Sequence, residues 1–143
     1  LEDRGGNYYF IIIVIIIMKT FVYGTLKKGK RLHSIIEDAT FIGTHETKQS
    51  FDIKDYANGA FPIVFLPKDD GYKIKGEVYD LDKQTMSYVW SLETGAGYSP
   101  IEIDVDEHTV VTFIYPQLAE NSSVSVTDNF IVTNNNIKEW TGG

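Results

Sequence analysis

Short apolar or alternating runs, each closed by a glycine, a proline or a small-polar turn, recur along this chain. That punctuation is the pattern of β-strands. Candidate strands are 19–23, 41–49, 51–55, 61–65, 72–81, 98–105, 109–115 and 130–132. Turn compositions separate them at Tyr56–Ala60, Lys68–Gly71 and Asp106–His108. Pro62 cannot donate to a ladder, so it belongs at a strand start or a sheet edge. Two segments carry helical spacing. Leu32, Ile35 and Ile36 predict a short helix between Leu32 and Ala39. A second helix runs from Lys83 to about Glu93 behind Asp82, a good N-cap. The stretch 119–129 is rich in Ser, Asn and Thr and reads as a loop or a poorly paired edge. Hairpins with two short helices and no helical crossover imply an α+β domain, a mostly antiparallel sheet closed into a small barrel.

Composition narrows the function. The chain has 143 residues, enough for one domain with a real core. Its formal net charge of −7 argues against nucleic acid or an anionic membrane surface as a partner. A small anionic ligand needs only a local site and is compatible with it. There are no cysteines, so thiol nucleophiles, disulfides and cysteine metal sites are excluded. His33, His45 and His108 are scattered without ligand spacing, and no metal is expected. A cytoplasmic monomer is the expected state.

Residues 1–17 differ from the rest. Tyr8 to Met18 is an unbroken apolar run, shorter than the roughly 20 residues a membrane helix needs. Glu2 and Asp3 precede the lone Arg4, and no small-residue cleavage site follows, which is unlike a signal peptide. Met18 looks like a natural start. Residues 1–17 are therefore expected to be a leader or non-native extension, and 18–143 the domain.

Two stretches carry candidate chemistry. In the first, the strand ending at Tyr23 runs into Gly24-Thr25-Leu26, so the backbone turns sharply where peptide N–H groups can meet a ligand. The basic run Lys27-Lys28-Gly29-Lys30-Arg31 follows. It reads as a solvated loop, or as a lure for an anionic substrate. In the second, Met86, Val89, Trp90 and Glu93 share one face of the predicted helix. Three are large and apolar, so Glu93 sits on an inward face at the helix C-terminus. Burial and the negative end of the helix dipole both raise a carboxyl pKa. Such a glutamate suits general acid–base work near neutral pH. Glu77 is a second carboxylate, read as a strand residue facing solvent.

The order Val22-Tyr23-Gly24-Thr25-Leu26, then Gly76-Glu77-Val78-Tyr79, then a helix closing on Leu92-Glu93 with Gly95, Gly97 and Tyr98, resembles the γ-glutamylcyclotransferase-like (AIG2-like or BtrG-like) family. The resemblance covers roughly 18–140. It implies that family's fold, a small-molecule γ-glutamyl substrate, no cofactor and no metal. The implied reaction is cyclisation of a γ-glutamyl amine or amino acid to 5-oxoproline with release of the amine. Glu93 matches the family's catalytic glutamate. Tyr23, Gly24, Thr25 and Leu26 match its substrate-binding turn, and Tyr98 a frequent family tyrosine. Tyr115 is expected on a strand lining the cavity. Ser99-Pro100 stand where many members carry an arginine, and Thr94 where glycine is common. The competing readings are a small-ligand-binding module without activity, and the same glutamate acting on another γ-glutamyl conjugate.

Overall fold

The computed structural model describes residues 18–56, 59–66, 71–115, 126–127, 129–134 and 136–143. Ten strands and one α-helix are present among them. In chain order they are β1 (Lys19–Val22), a 3-10 turn (His33–Ile36), β2 (Thr40–Glu46), β3 (Asp52–Tyr56), β4 (Phe61–Phe65) and β5 (Lys73–Asp80). There follow α1 (Lys83–Gly95), β6 (Ser99–Val105), β7 (His108–Ile114), β8 (Val126–Thr127), β9 (Phe130–Thr133) and β10 (Ile137–Trp140).

The larger sheet has the order β6-β7-β1-β5-β10-β9, with β2 pairing the other side of β5. Most of its pairs are antiparallel, but β1–β7 and β10–β5 are parallel. The smaller sheet has the order β4-β3-β8. Two expectations are corrected here. The sheet is not a closed barrel: among the described residues, the β2 end is joined to the β6 end by the isolated Thr47–Val105 bridge, which is no ladder. There is one α-helix rather than two short ones, because the 32–39 segment forms a single 3-10 turn. Residues Ile137–Trp140 form strand β10, paired to β9 along its whole length. Residues 1–17, positions 57–58 and 68–70 of two expected turns, and most of 119–129 lie outside the described residues.

β1 lies at the centre, between β5 and β7. Its run Phe21-Val22-Tyr23 is buried on both faces, which explains its unbroken apolar character. Phe21 and Tyr23 join one core with Ile53, Val64, Val78 and Val110. Val22 faces the other core, with Leu26, Tyr79, Met86 and Val89 beneath α1. Asp82 caps the helix, its carboxylate accepting from the Thr85 N–H at 2.7 Å. Met86 and Val89 are buried as the helical spacing requires, but Trp90 is 37% exposed and only meets the Phe113 ring edge-on.

The last strand is tied to the loop after β1. Lys27 is buried, and its Nζ donates to the Trp140 carbonyl at 2.8 Å. The Trp140 indole N–H donates to Asp55 at 2.6 Å. Lys27 therefore does not belong to a solvated loop.

Candidate active site

The end of β1 and the end of α1 face one another across a cavity of about 270 Å³. Tyr23, Gly24, Thr25, Leu26, Glu93, Tyr98 and Tyr115 all line it. The seven residues singled out in the sequence are thus brought together, although they come from β1, the helix end and the end of β7.

The turn after β1 is braced from two sides. The Lys27 N–H returns to the Gly24 carbonyl at 3.1 Å, and the Lys28 N–H donates to a Glu77 carboxylate oxygen at 2.8 Å. Glu77 also accepts from the Tyr79 hydroxyl at 3.0 Å. Its task is therefore to hold the turn from the neighbouring strand, a role its assignment to a solvent-facing position missed. Among the described residues, no turn, loop or side-chain acceptor takes the N–H groups of Thr25 and Leu26. Gly24 has its own reason to lack a side chain. A Cβ there would come within 2.8 Å of two Pro62 ring atoms. Pro62 can stand so close because β4 is a sheet edge.

The helix runs two residues past Glu93 and closes in a Schellman cap. Gly97, at φ +97°, donates to the Thr94 carbonyl at 3.1 Å, and Tyr98 donates to the Glu93 carbonyl at 3.0 Å. The cap turns the Tyr98 ring back into the cavity. Its hydroxyl donates to the Pro62 carbonyl at 2.9 Å, linking the helix end to β4. The Tyr115 ring crosses Tyr98 edge-on at 4.7 Å, and its hydroxyl donates to the Ala96 carbonyl at 2.9 Å. The Tyr23 hydroxyl donates to the Phe113 carbonyl.

Glu93 is half-buried among these rings. Burial pushes its carboxyl up to about 7. Among the described residues, no hydrogen bond or ion pair offsets that burial. Burial also raises the Tyr23 and Tyr98 hydroxyls, with the nearby Glu93 charge a further cause. Both phenols therefore stay protonated at neutral pH. A carboxyl that exchanges its proton near pH 7, beside fixed donors and an apolar wall, is equipped for proton transfer to and from a small ligand.

The structure adds wall residues that sequence reasoning did not single out. Arg31 is the most consequential, and its signal was the basic run that contains it. Pro62 was read only as a strand-edge marker. Thr112 and Phe113 enter from β7, the neighbour of β1 in the sheet. Among the described residues, no cluster of three or more His, Cys, Asp or Glu could hold a metal ion. No helix among them is long and apolar enough to cross a membrane.

Fold and site together define a class: a mixed-sheet α+β domain whose glycine turn after the central strand faces a glutamate at a helix end. The chain belongs to the gamma-glutamyl cyclotransferase, AIG2-like family, whose match spans residues 20–131. It is 37% identical over 86 residues to PH0828 of Pyrococcus horikoshii, covering 57% of this chain and 65% of that protein. The crystal structure of PH0828 superposes with a TM-score of 0.59 at 28% identity, over 70% of this chain and 79% of the other. A gamma-glutamylaminecyclotransferase of Rattus norvegicus is 32% identical over 78 residues, 51% of this chain and 52% of that protein. The crystal structure of an AIG2-like protein of Mus musculus gives a TM-score of 0.59 at 26% identity, over 73% and 79% of the two chains. The chain thus spans between about half and two thirds of these two curated relatives.

Proposed function

We propose that the protein is a γ-glutamylcyclotransferase-type enzyme. It would convert a small γ-glutamyl compound to 5-oxoproline and release the amine. The observation that carries this reading is the meeting of Glu93 with the Tyr23–Leu26 turn in one cavity. Family membership supports it.

The chemistry asks little covalent work of the protein. The substrate's α-nitrogen attacks its own γ-carbonyl carbon, a five-membered ring forms, and the old amide C–N bond breaks. The nucleophile and electrophile share one molecule, so holding the ring-closing conformer is the main task. The Thr25 and Leu26 N–H groups hold the α-carboxylate of the γ-glutamyl group. Tyr23, Tyr98 and Tyr115 wall in its methylene chain. Ionised Glu93 takes a proton from the α-ammonium, freeing the attacking lone pair, and then delivers a proton to the departing nitrogen. On becoming the lactam N–H the attacking nitrogen sheds a second proton, which the released amine takes up to leave as an ammonium; proton number is conserved, and Glu93 returns to its starting state. A carboxyl near pH 7 can serve in both directions.

The test is 5-oxoproline production from a panel of γ-glutamyl amines and γ-glutamyl amino acids, with Glu93→Gln run beside the wild type. Product from the wild type, lost in the variant, supports the reading. A protein that binds the panel without converting any member is a binding module, and the reading fails.

A further inference from the structure

The cavity wall carries one cation among its described residues, Arg31, and one carboxylate, Glu93. Lys27 and Lys30 of the basic run are engaged elsewhere. Lys27 is buried against the Trp140 carbonyl, and Lys30 lies over the Trp140 ring at 5.4 Å. Arg31 is exposed, but it is placed. Its Nη2 donates to the Ala60 carbonyl at 3.3 Å, immediately before β4. The next residue's backbone N–H, that of Leu32, donates to the Thr25 carbonyl at 3.0 Å. The Arg31 backbone is thus held beside the turn after β1, while its guanidinium is anchored next to the Phe61-Pro62 wall.

A guanidinium has five N–H donors in a planar fork, and one bond to a carbonyl leaves a carboxylate-sized face open. The chain carries a net charge of −7, so its average field repels anions. Arg31 is the local exception, and it stands at the cavity's exposed edge. The ring-closing half of the substrate must lie inward, at half-buried Glu93 and the turn. The departing half is then the part that reaches the rim.

We propose that Arg31 binds a carboxylate on the leaving group, so that the preferred substrates are γ-glutamyl amino acids rather than plain γ-glutamyl amines. This rests on the cyclotransferase reading above. It assigns Arg31 a specificity role that acts on the outer half of the substrate, with no part in proton transfer.

The test uses two substrates that differ by one carboxylate, γ-glutamylalanine and γ-glutamylethylamide. The full chain, Arg31→Gln and Arg31→Lys are compared. The wild type should favour γ-glutamylalanine by about tenfold or more in kcat/KM. Arg31→Gln should lower kcat/KM at least tenfold more for γ-glutamylalanine than for the ethylamide, mainly through KM, and Arg31→Lys should restore part of the difference. Equal use of both substrates by the wild type, or equal losses in Arg31→Gln, would overturn the proposal. Calorimetric titration of both compounds into Glu93→Gln, with and without Arg31→Gln, gives a second readout without turnover. If the wild type converts neither compound, the full panel decides the cyclotransferase reading, and the titration alone decides the role of Arg31. An Arg31-dependent preference for γ-glutamylalanine would support it, and equal affinities would overturn it.

Discussion

The backbone N–H of Tyr98 donates to the carbonyl of Glu93 at 3.0 Å, so the carboxyl-bearing residue and the tyrosine beside it are two ends of one helix cap. Their spacing is set by backbone geometry rather than by side-chain packing. A change in the cap therefore moves the two groups relative to each other.

Gly97→Ala tests this link. Gly97 sits at φ +97°, and a Cβ there would come within 3.0 Å of the Tyr115 hydroxyl. The substitution should destabilise the fold by about 1 kcal/mol or more. Because it also displaces Tyr98 and Tyr115, kcat should fall in the folded variant. Denaturant unfolding and steady-state kinetics measure the two effects separately.

Tyr98→Phe removes the hydroxyl that donates to the Pro62 carbonyl. The loss should cost about 1 kcal/mol of stability and leave the ring in place. KM should rise several-fold as the contact between the helix end and β4 loosens. An unchanged KM would mean that the ring alone shapes this wall.

Glu93→Gln should cost at least about a hundredfold in kcat, the usual scale for a lost acid–base group. Ligand affinity should survive, because the amide keeps the carboxyl's shape. Titration calorimetry on the variant checks the second half of that expectation.

The raised Glu93 carboxyl has consequences for both rate and stability. In the proposed mechanism Glu93 acts in its ionised form, so the rate of the wild type should rise with pH through about 7. Stability should move the other way. The unfolded chain ionises this carboxyl at about 4.5, whereas the folded chain holds the proton to about 7. Between those values the folded state binds more protons, so the contribution is present below about 4.5 and is lost as pH rises through 7. Glu93→Gln has no such loss. It should be more stable than the wild type at pH 8, by at most about 3 kcal/mol, with the gap narrowing steadily towards pH 4. Urea melts of both proteins across that range measure the gap.

Gly24→Ala places a methyl group 2.7 Å from a Pro62 ring carbon. The proline ring cannot rotate away, so either β4 or the turn must shift. A loss of about 1–3 kcal/mol is expected, together with weaker substrate binding. Denaturant midpoint and KM check both.

What could be read in the sequence was local. The glycine at a strand end and the spacing from Met86 to Glu93 are short-range patterns, and both led to the cavity. Trp90 shows where such reasoning stops. It lies one position beyond Val89, at the margin of the buried stripe, and only the neighbouring strands decide which margin is covered. Arg31 and Lys27 carry the same kind of charge four residues apart, yet one faces the cavity and the other is buried. Their partners, Ala60 and Trp140, lie 29 and 113 residues away and leave no trace in the run itself. Barrel closure failed for a similar reason. Whether β2 and β6 form a ladder depends on a register between distant strands, and here they share a single bridge.

The bond from Lys27 to the Trp140 carbonyl sets an order of events during synthesis. The turn that borders the cavity emerges from the ribosome early, but the carbonyl that secures its lysine is among the last parts of β10 to be made. Until then the Lys27 ammonium lacks its Trp140 acceptor, and the turn is held only by its own backbone bonds and by Glu77. A nascent chain stalled before β10 would carry every residue of the cavity wall named here and still lack a finished site. Ligand binding should therefore strengthen once β10 has been added.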